Sequence, residues 1–232
     1  MSAALSIIIP VYNEFSTVSD VVRSVRERGP AGAELIVVDD CSSDGTRTVL
    51  QEELSGLIDK IVLHEVNQGK GAALRSGIGV ATGEFVVFQD ADLEYDPGEL
   101  GAMLEIVQSG KADAVYGSRF LHPKTKEICP LWHRAVNRGL TEFSNLFTGF
   151  RLTDMETCYK LLPLSFMKSI EMEENRFGIE PEITAKAADH GLRVEEIPIA
   201  YNRREFDEGK KIGPIDGFRA LYVITKYGLL YI

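Results

Sequence analysis

Short apolar runs alternate with stretches of helical periodicity along most of the chain. Residues 5–9 and 35–38 contain almost only aliphatic or β-branched side chains, a pattern typical of strands buried on both faces of a parallel sheet. Between these runs, valines recur every three or four positions from residue 18 to residue 25, which predicts an amphipathic helix. This alternation of strand and helix predicts an α/β fold with a mostly parallel central sheet flanked by helices.

The same pattern predicts the order of the elements. Strands are expected at residues 5–9, 35–38, 58–63, 85–88, 114–116 and 194–199. A first helix is expected from residue 18 to Gly29, and a second after the turn at residues 42–46, ending at Leu54. Further helices are expected to begin after Gly69 and after Pro97, to include Arg134 and Arg138, and to span residues 179–188. Pro10 is expected to close the first strand. Because no internal repeat or linker interrupts the pattern, residues 1–232 are predicted to form a single domain.

Composition narrows the function classes. Hydrophobic residues make up 44% and charged residues 26%, as in ordinary globular proteins. The net charge of −10 argues against a nucleic-acid partner. Cys41, Cys129 and Cys158 are widely spaced, which suggests neither a disulfide framework nor a zinc site and fits a reducing cytoplasm. The N-terminus lacks the pattern of a signal peptide.

The C-terminal stretch, residues 220–232, is apolar and aromatic with one lysine. It is shorter than the ~20 apolar residues of a spanning helix. We expect a core helix here, with a helix lying on the membrane surface as the alternative.

Carboxylates follow the apolar run at residues 85–88. Asp90 and Asp92 point the same way if the period of two persists beyond the strand, and Glu94 comes two residues later. Ligands of open α/β sheets bind at the carboxyl ends of the strands, and carboxylate oxygens suit Mg²⁺ or Mn²⁺. The sequence therefore predicts a divalent-metal site, with a solvated turn or helix cap as the alternative.

Two further segments are predicted to reach the same edge. Asp39 and Asp40 end the strand at residues 35–38, and residues 67–71, Asn-Gln-Gly-Lys-Gly, open a helix. A lysine between glycines at a helix N-terminus is suited to binding a phosphate. A plain loop with a surface lysine is the alternative for Lys70.

Taken together, four segments resemble the GT-A fold glycosyltransferases of family 2, and the resemblance covers essentially the whole chain. They are residues 10–14 (Pro-Val-Tyr-Asn-Glu), 38–40 (Val-Asp-Asp), 67–71, and 89–92 (Gln-Asp-Ala-Asp). Residues 90–97, 117–119 and the basic stretch 203–211 most resemble the polyprenyl-phosphate sugar transferases, a group that includes dolichyl-phosphate mannose synthase.

The resemblance implies an activity and a separate binding role for each half of the chain. The expected reaction is a metal-dependent, inverting transfer of mannose or glucose from a GDP- or UDP-linked donor to polyprenyl or dolichyl phosphate. Residues 1–118 would bind the nucleotide sugar and residues 119–232 the acceptor. A cytoplasmic location is expected, with peripheral contact at the cytoplasmic face of the membrane. The sugar, the nucleotide and the oligomeric state stay open.

The resemblance also implies roles for individual residues. The implied nucleotide-sugar residues are Pro10, Tyr12, Glu14, Val38, Asp39, Asp40, Lys70, Asp90, Ala91, Arg203 and Lys210. The implied metal ligands are Asp90, Asp92 and Glu94, holding Mg²⁺ or Mn²⁺. The implied catalytic residues are Asp92, Asp154 and Arg119, and the implied acceptor-phosphate residues are Arg119, Arg134 and Arg138.

The acceptor separates the alternatives. A phosphate monoester has a second pKa near ~6 and needs cations to hold it, whereas a hydroxyl acceptor needs a general base. Asp154 or Glu156 could be that base, and Asp154 could instead orient the arginines. Arg134 and Arg138 lie one helical turn apart, with an exposed pairing to Glu142 as the alternative. A binding subunit without catalysis is the third hypothesis.

The chain stops at Ile232 within an apolar run. Family members that use polyprenyl phosphate commonly carry transmembrane helices after the catalytic domain. The expectation is therefore either a peripheral enzyme or one with a membrane segment beyond this sequence.

Overall fold

The computed structural model describes residues 3–123, 130–176, 178–203 and 214–230. The strands are β1 (Leu5–Val11), β2 (Glu34–Asp39), β3 (Lys60–Leu63), β4 (Phe85–Phe88), β5 (Ala114–Ser118), β6 (Lys160–Pro163) and β7 (Val194–Pro198). The helices are α1 (Val18–Arg28), α2 (Thr46–Thr48), α3 (Lys70–Val80), α4 (Leu100–Gln108), α5 (Leu131–Thr148), α6 (Leu164–Ser169), α7 (Ile179–Asp189) and α8 (Pro214–Leu230). A π-helical turn (Val49–Glu53) and a 3₁₀ turn (Ser55–Leu57) follow α2, and a 3₁₀ turn (Pro97–Glu99) precedes α4.

The strands form one sheet in the order β3-β2-β1-β4-β6-β5-β7. β1 pairs in parallel with β2 and β4, β2 with β3, and β5 with β7. β6 runs antiparallel between β4 and β5. The predicted mostly parallel sheet is confirmed. Because β6 is reversed, the residues before it reach the edge at which β4 and β5 end.

The apolar runs lie where their composition predicts. All residues of β2 and β4 are buried, as are the four valines of α1. The buried apolar side chains of the strands and helices form one main cluster, and Ala185, Val223 and Tyr227 form a second, smaller one. Burial of these side chains is the main source of stability of such a fold.

Pro10 does not close the first strand, contrary to the prediction. β1 continues to Val11, and Pro10 lies opposite Val38 of β2. The carbonyl of Ile8 accepts from Gln89 on the β4 side, so Pro10, two residues on, faces that side as well. Pairing with β4 ends at Ile8, and the missing N–H of proline therefore costs no ladder hydrogen bond.

Two elements were not predicted, β6 and the short helix α6. The β6 sequence is Lys-Leu-Leu-Pro. Because it begins with a lysine, its composition does not predict a buried strand. Lys160 is fully buried, and its ammonium donates to the carbonyls of Met155 at 2.6 Å and Thr157 at 2.5 Å. Burial lowers the pKa of Lys160 to about 8, with nearby carboxylates opposing this.

The C-terminal helix α8 is a core helix, as predicted for the part that the structure describes. Ala220, Val223, Ile224 and Tyr227 are buried, and α8 contacts α5 and α7. Its opposite side exposes apolar side chains, which are Phe218, Leu221, Tyr222 and Leu229. Within the described parts of the chain, no helix combines the length and hydropathy needed to cross a membrane.

Candidate active site

A cavity of about 1360 Å³ opens at the carboxyl ends of β1, β4 and β5. Loops after these strands form one wall, and α5 and α8 form the opposite wall. Residues predicted for the site that line it are Pro10, Tyr12, Glu14, Asp40, Lys70, Asp90, Ala91, Asp92, Glu94, Arg119 and Arg203. Carboxylates, cations and apolar side chains therefore meet in one space, as is typical of ligand pockets at this edge of α/β sheets.

The loop after β4 carries the carboxylates. Leu93 has a φ of 61°, a left-handed conformation that turns the chain sharply between Asp92 and Glu94. The Asp92 carboxylate accepts from the backbone N–H of Glu94 at 3.1 Å, and Glu94 accepts from the Tyr201 hydroxyl at 2.9 Å. Burial, with the charges of Asp90 and Glu94, raises the pKa of Asp92 to about 7.

Lys70 neutralises part of this acidic loop. Its ammonium lies 2.9 Å from Asp90 Oδ1 and 2.9 Å from Glu180 Oε1. Burial alone would lower the pKa of Lys70, but the Asp90 and Glu180 carboxylates outweigh it and raise that pKa well above its usual range. Lys70 is thus a buried cation between two carboxylates.

The predicted set of three metal-binding carboxylates does not converge. Among the described residues, no group of three or more His, Cys, Asp or Glu side chains has the geometry to hold a metal ion. Asp90 is paired with Lys70, and Glu94 is turned to Tyr201. Asp90 and Asp92 both line the cavity, so this edge offers at most a two-carboxylate contribution to a metal site.

The turn at residues 67–71 is held by Asp40. Its carboxylate accepts from the backbone N–H groups of Gln68 at 2.9 Å and Gly69 at 2.7 Å, and from His64 Nδ1, which lies at 2.7 Å. The N–H of Gly71 donates to the Asn175 carbonyl at 2.8 Å. These N–H groups already donate to acceptors of the protein, so they are not free to bind a phosphate. A Cβ on Gly71 would lie 2.0 Å from the Glu174 carbonyl, which explains the glycine.

Val38 and Asp39 do not line the cavity. Both are fully buried, and the Asp39 carboxylate accepts from Arg47 Nε at 2.7 Å and from the N–H of Ser42. Asp39 therefore stiffens the loop behind the cavity wall. Its predicted role in binding the nucleotide sugar has no support in this geometry.

Asp154 is also outside the cavity. It is fully buried, and its carboxylate accepts from Arg119 Nε and Nη2, both at 2.7 Å, and from the Arg119 N–H at 3.0 Å. A general base must reach the proton that it abstracts, which Asp154 in this position does not. The structure instead supports the alternative in which Asp154 orients an arginine, because Arg119 itself lines the cavity.

The remaining predicted cations are Arg134, Arg138 and Lys210. Arg134 and Arg138 are not among the lining residues, and the 79% exposed Arg138 side chain lies 3.6 Å from Glu142 on the same helix. Spacing along a helix places two side chains on one face but does not say which way that face turns. Lys210 lies outside the described residues.

Sequence reasoning missed several lining residues, among them Arg176 and Glu180, and left Glu156 as a minor option. Glu156 precedes the reversed strand β6, and Glu180 lies in the first turn of α7. Burial, followed by the charge of Glu180, raises the pKa of Glu156 to about 8. Two acidic residues in the first turn of a helix normally indicate a favourable interaction with the helix dipole. The sequence therefore contained no sign that Glu180 also lines the cavity.

An apolar rim completes the cavity on the helix side. We define it as Trp132, Val136, Phe218 and Leu221. The first three are 59%, 52% and 74% exposed. Large apolar side chains that are exposed together beside a polar cavity mark a binding surface more often than chance.

Comparisons with known proteins agree with this architecture. The family model described as Glycosyl transferase family 2 matches residues 6–167. The undecaprenyl-phosphate mannosyltransferase of Micrococcus luteus is 29% identical, across 96% of this chain and 93% of that protein. The polyprenol monophosphomannose synthase of Mycolicibacterium smegmatis is 28% identical, across 96% of this chain and 86% of that protein.

Solved structures show the same fold. The glucosyl-3-phosphoglycerate synthase of Mycobacterium tuberculosis, in complex with Mn²⁺, UDP and glucosyl-3-phosphoglycerate, has a TM-score of 0.72. The match covers 97% of this chain and 80% of that chain at 19% identity. This likeness confirms the predicted GT-A fold. With a family model matching most of its length, the chain belongs to glycosyl transferase family 2 and is a glycosyltransferase.

Proposed function

We propose that this enzyme transfers a hexose, mannose or glucose, from a GDP- or UDP-linked donor to polyprenyl phosphate, with inversion at the sugar carbon. The observation that carries the proposal is the cavity, which joins the carboxylates of the β4 edge to a buried arginine and an apolar rim. The names of the two relatives, both concerned with polyprenyl-phosphate mannosylation, support the same acceptor.

The donor would bind along the loops after β1 and β4. Tyr12 and Glu14 follow β1, and Ala91 lies between the two aspartates. The Thr17 hydroxyl donates to the Ala91 carbonyl at 2.7 Å, which fixes the two loops against each other. A rigid wall of this kind lowers the entropic cost of binding. This assigns residues 1–118 to the donor.

A divalent metal fits this edge in part. Asp90 and Asp92 would hold Mg²⁺ or Mn²⁺, while the diphosphate and water would supply the other ligands, as is usual for Mg²⁺. The Asp92 pKa of about 7 reflects burial together with the like charges of Asp90 and Glu94, and a bound cation would relieve that repulsion. When bound, such a metal stabilises negative charge on the departing nucleoside diphosphate. The structural neighbour contains Mn²⁺ and UDP, which is consistent with this choice.

The acceptor phosphate would be held by arginines of the other half, residues 119–232. Arg119, Arg176 and Arg203 line the cavity, and Asp154 fixes the plane of the Arg119 guanidinium. Because a phosphate monoester is largely ionised near neutral pH, it needs cations and no general base. Arg203 Nε is buried without a hydrogen-bond partner among the described residues, as expected of a donor awaiting an anion.

The apolar rim would receive the isoprenoid chain. Trp132 and Val136 on α5 and Phe218 and Leu221 on α8 line the cavity and are exposed to solvent. A lipid whose phosphate enters the cavity must leave its chain at this rim, where contact with the membrane surface would also occur.

A transfer assay tests the proposal. Purified enzyme, Mn²⁺ or Mg²⁺ and polyprenyl phosphate are incubated with labelled UDP-glucose or GDP-mannose, and label in the organic phase is counted. We expect label from one donor in the organic phase and its loss with EDTA. Label that stays in water, with the donor bound or hydrolysed, would contradict the lipid-phosphate acceptor.

The rim has its own test. Replacing Trp132 and Phe218 by Ser should raise KM about 10-fold for a long-chain polyprenyl phosphate, since about 1.4 kcal/mol of apolar contact is lost. A water-soluble, short-chain prenyl phosphate should show no such change. Leu229→Ser is the matched control, because Leu229 is 63% exposed on α8 but does not line the cavity.

A second candidate function has one specific observation in its favour. Transfer to a hydroxyl requires a base in the cavity, and Glu156, not Asp154, is the carboxylate of that segment that lines it. Its pKa of about 8 suits a general base near neutral pH. In this case Glu156→Gln would abolish turnover while donor binding persists.

A further inference from the structure

Two glutamates on the cavity wall have no part in the proposed transfer to a phosphate acceptor. Glu156 enters on the segment before β6, and Glu180 enters from the first turn of α7. Residue Glu180 is only 7% exposed. The two come from different elements, but both line the same cavity.

Each glutamate has one oxygen without a hydrogen-bond partner among the described residues. These atoms are Glu156 Oε1 and Glu180 Oε2, and both are buried. The other oxygen of Glu180 accepts from Lys70 at 2.9 Å. Buried carboxylate oxygens are normally satisfied, so unsatisfied oxygens on two residues that line one cavity indicate a ligand with hydrogen-bond donors.

Glu182 shows that helix α7 can satisfy a buried glutamate when its role is structural. It is fully buried. Its carboxylate accepts from the N–H groups of Glu173 at 2.8 Å and Glu174 at 2.9 Å, and from the Lys186 ammonium at 2.7 Å. The unpaired oxygen of Glu180 is therefore specific to the cavity side of this helix.

The position of Glu180 suggests which donors it meets. One ammonium group, that of Lys70, separates it from Asp90 at the edge proposed for the diphosphate. The part of a nucleotide sugar that lies next to its diphosphate is the hexose ring, whose hydroxyl groups donate hydrogen bonds.

We propose that Glu156 and Glu180 form a subsite that accepts hydrogen bonds from the hydroxyl groups of the transferred hexose and thereby selects the sugar. This inference rests on the proposed nucleotide-sugar donor but not on the identity of the acceptor. A site built around hydrogen bonds rejects analogues that lack them, because its own polar groups are then left unpaired.

Calorimetric binding without acceptor tests the subsite. For Glu156→Gln, Glu180→Gln and wild type, dissociation constants are measured for UDP-glucose and UDP, and for GDP-mannose and GDP, with Mn²⁺ present. We expect Glu180→Gln to weaken binding of the preferred nucleotide sugar about 10- to 100-fold. We expect Glu156→Gln to do so at pH 9, where the Glu156 carboxyl, with its pKa of about 8, is ionised. Binding of the bare nucleotide should change less than about 2-fold, because it lacks the hexose.

A donor with one hydroxyl removed sharpens the test. Deoxy analogues of the preferred donor should bind wild type more weakly, and one of them should show no further loss with the matching glutamate variant. Such non-additivity identifies a direct contact. Glu182→Gln is the control, which we expect to lower stability without changing the ratio of the two dissociation constants.

Other outcomes overturn the inference in distinguishable ways. Equal losses for nucleotide and nucleotide sugar would show that the glutamates act through Lys70 or through the fold. Lost turnover with unchanged donor binding in Glu156→Gln would instead make Glu156 a general base. Unchanged binding in both variants would remove the subsite but leave the proposed function intact. Wild type that binds no nucleotide sugar would refute the proposed function itself.

Discussion

The two halves of the sheet deliver their side chains to the cavity in different ways. In the half formed by β1, β2, β3 and β4, which we call the parallel half, all pairings are parallel, so residues that follow a strand reach one common edge. In the other half, formed by β5, β6 and β7 and called the mixed half, β6 runs antiparallel to β4 and β5. Residues that precede a strand, such as Glu156, reach that same edge. The difference teaches that strand direction, and not only strand position, decides which polar residues meet.

The halves also differ in how their charges are balanced. The β4 edge gathers Asp90, Asp92 and Glu94 with Lys70 as a neighbouring cation, and the pKa of Asp92 is raised to about 7. In the other half, Arg119 and Asp154 form a close buried ion pair. Surplus like charge suits a cation or a ligand, whereas a satisfied pair suits the positioning of a side chain.

The largest expected effect is on the transfer rate, and it comes from removing a carboxylate of the parallel half. Asp92→Asn should lower the transfer rate about 10²- to 10³-fold, because charge stabilisation at the diphosphate would be lost. Unfolding by urea should show no loss of stability, since the substitution relieves repulsion. Asp113→Asn is the matched control, because Asp113 pairs with Arg193 at the surface and does not line the cavity. Unchanged transfer in Asp92→Asn would refute the assignment.

Removing the charge of Asp154, the partner of Arg119 in the mixed half, should mainly lower the free energy of unfolding. Asp154→Asn leaves the Arg119 guanidinium buried without its counter-charge, which costs about 3 kcal/mol of unfolding free energy. Urea unfolding measures this loss. A double variant, Arg119→Met with Asp154→Leu, should recover most of the stability but none of the acceptor binding. An Asp154→Asn variant with wild-type stability and no turnover would instead restore Asp154 as a base.

A smaller effect should follow pH at Glu156. Its pKa of about 8 in the folded state exceeds the ordinary glutamate value of 4.5, so the folded protein binds the proton more tightly and loses stability as pH rises from 4.5 to 8. Glu156→Gln removes this loss. We expect the variant to match wild type at pH 5 and to exceed it at pH 9 by about 1–2 kcal/mol, since partial exposure screens the charge.

Urea unfolding at pH 5, 7 and 9 measures this difference. The exposed Glu142, 62% exposed in its side chain, supplies the control variant Glu142→Gln, whose difference from wild type should not change between pH 7 and 9. A Glu156→Gln variant with the same pH-independent behaviour would show that burial does not perturb Glu156.

The predictability of the site follows the same division. Asp90 and Asp92 could be found from sequence because they directly follow an apolar run whose burial is unambiguous. Glu156 could not be assigned with equal weight, since Lys160 disguises β6 and the sequence does not reveal that this strand is reversed. Asp154 was singled out from the sequence as a base or as a residue that orients the arginines, but only the fold shows that Arg119 donates to its carboxylate. Long-range pairings of this kind carry no local sequence signal.

The smallest effect is expected at the arginines whose helical spacing looked most suggestive. Arg138→Ala should change the unfolding free energy by no more than about 0.5 kcal/mol, because an exposed pair with Glu142 contributes little. If Arg119, Arg176 and Arg203 hold the acceptor phosphate, KM for the acceptor should stay within about 2-fold in Arg134→Ala and Arg138→Ala. Steady-state kinetics with the lipid acceptor check this, with Arg203→Ala as the variant that should raise KM. A large rise in Arg138→Ala would show that α5 turns this face toward the cavity when the lipid binds, and that the mixed half rearranges while the parallel half does not.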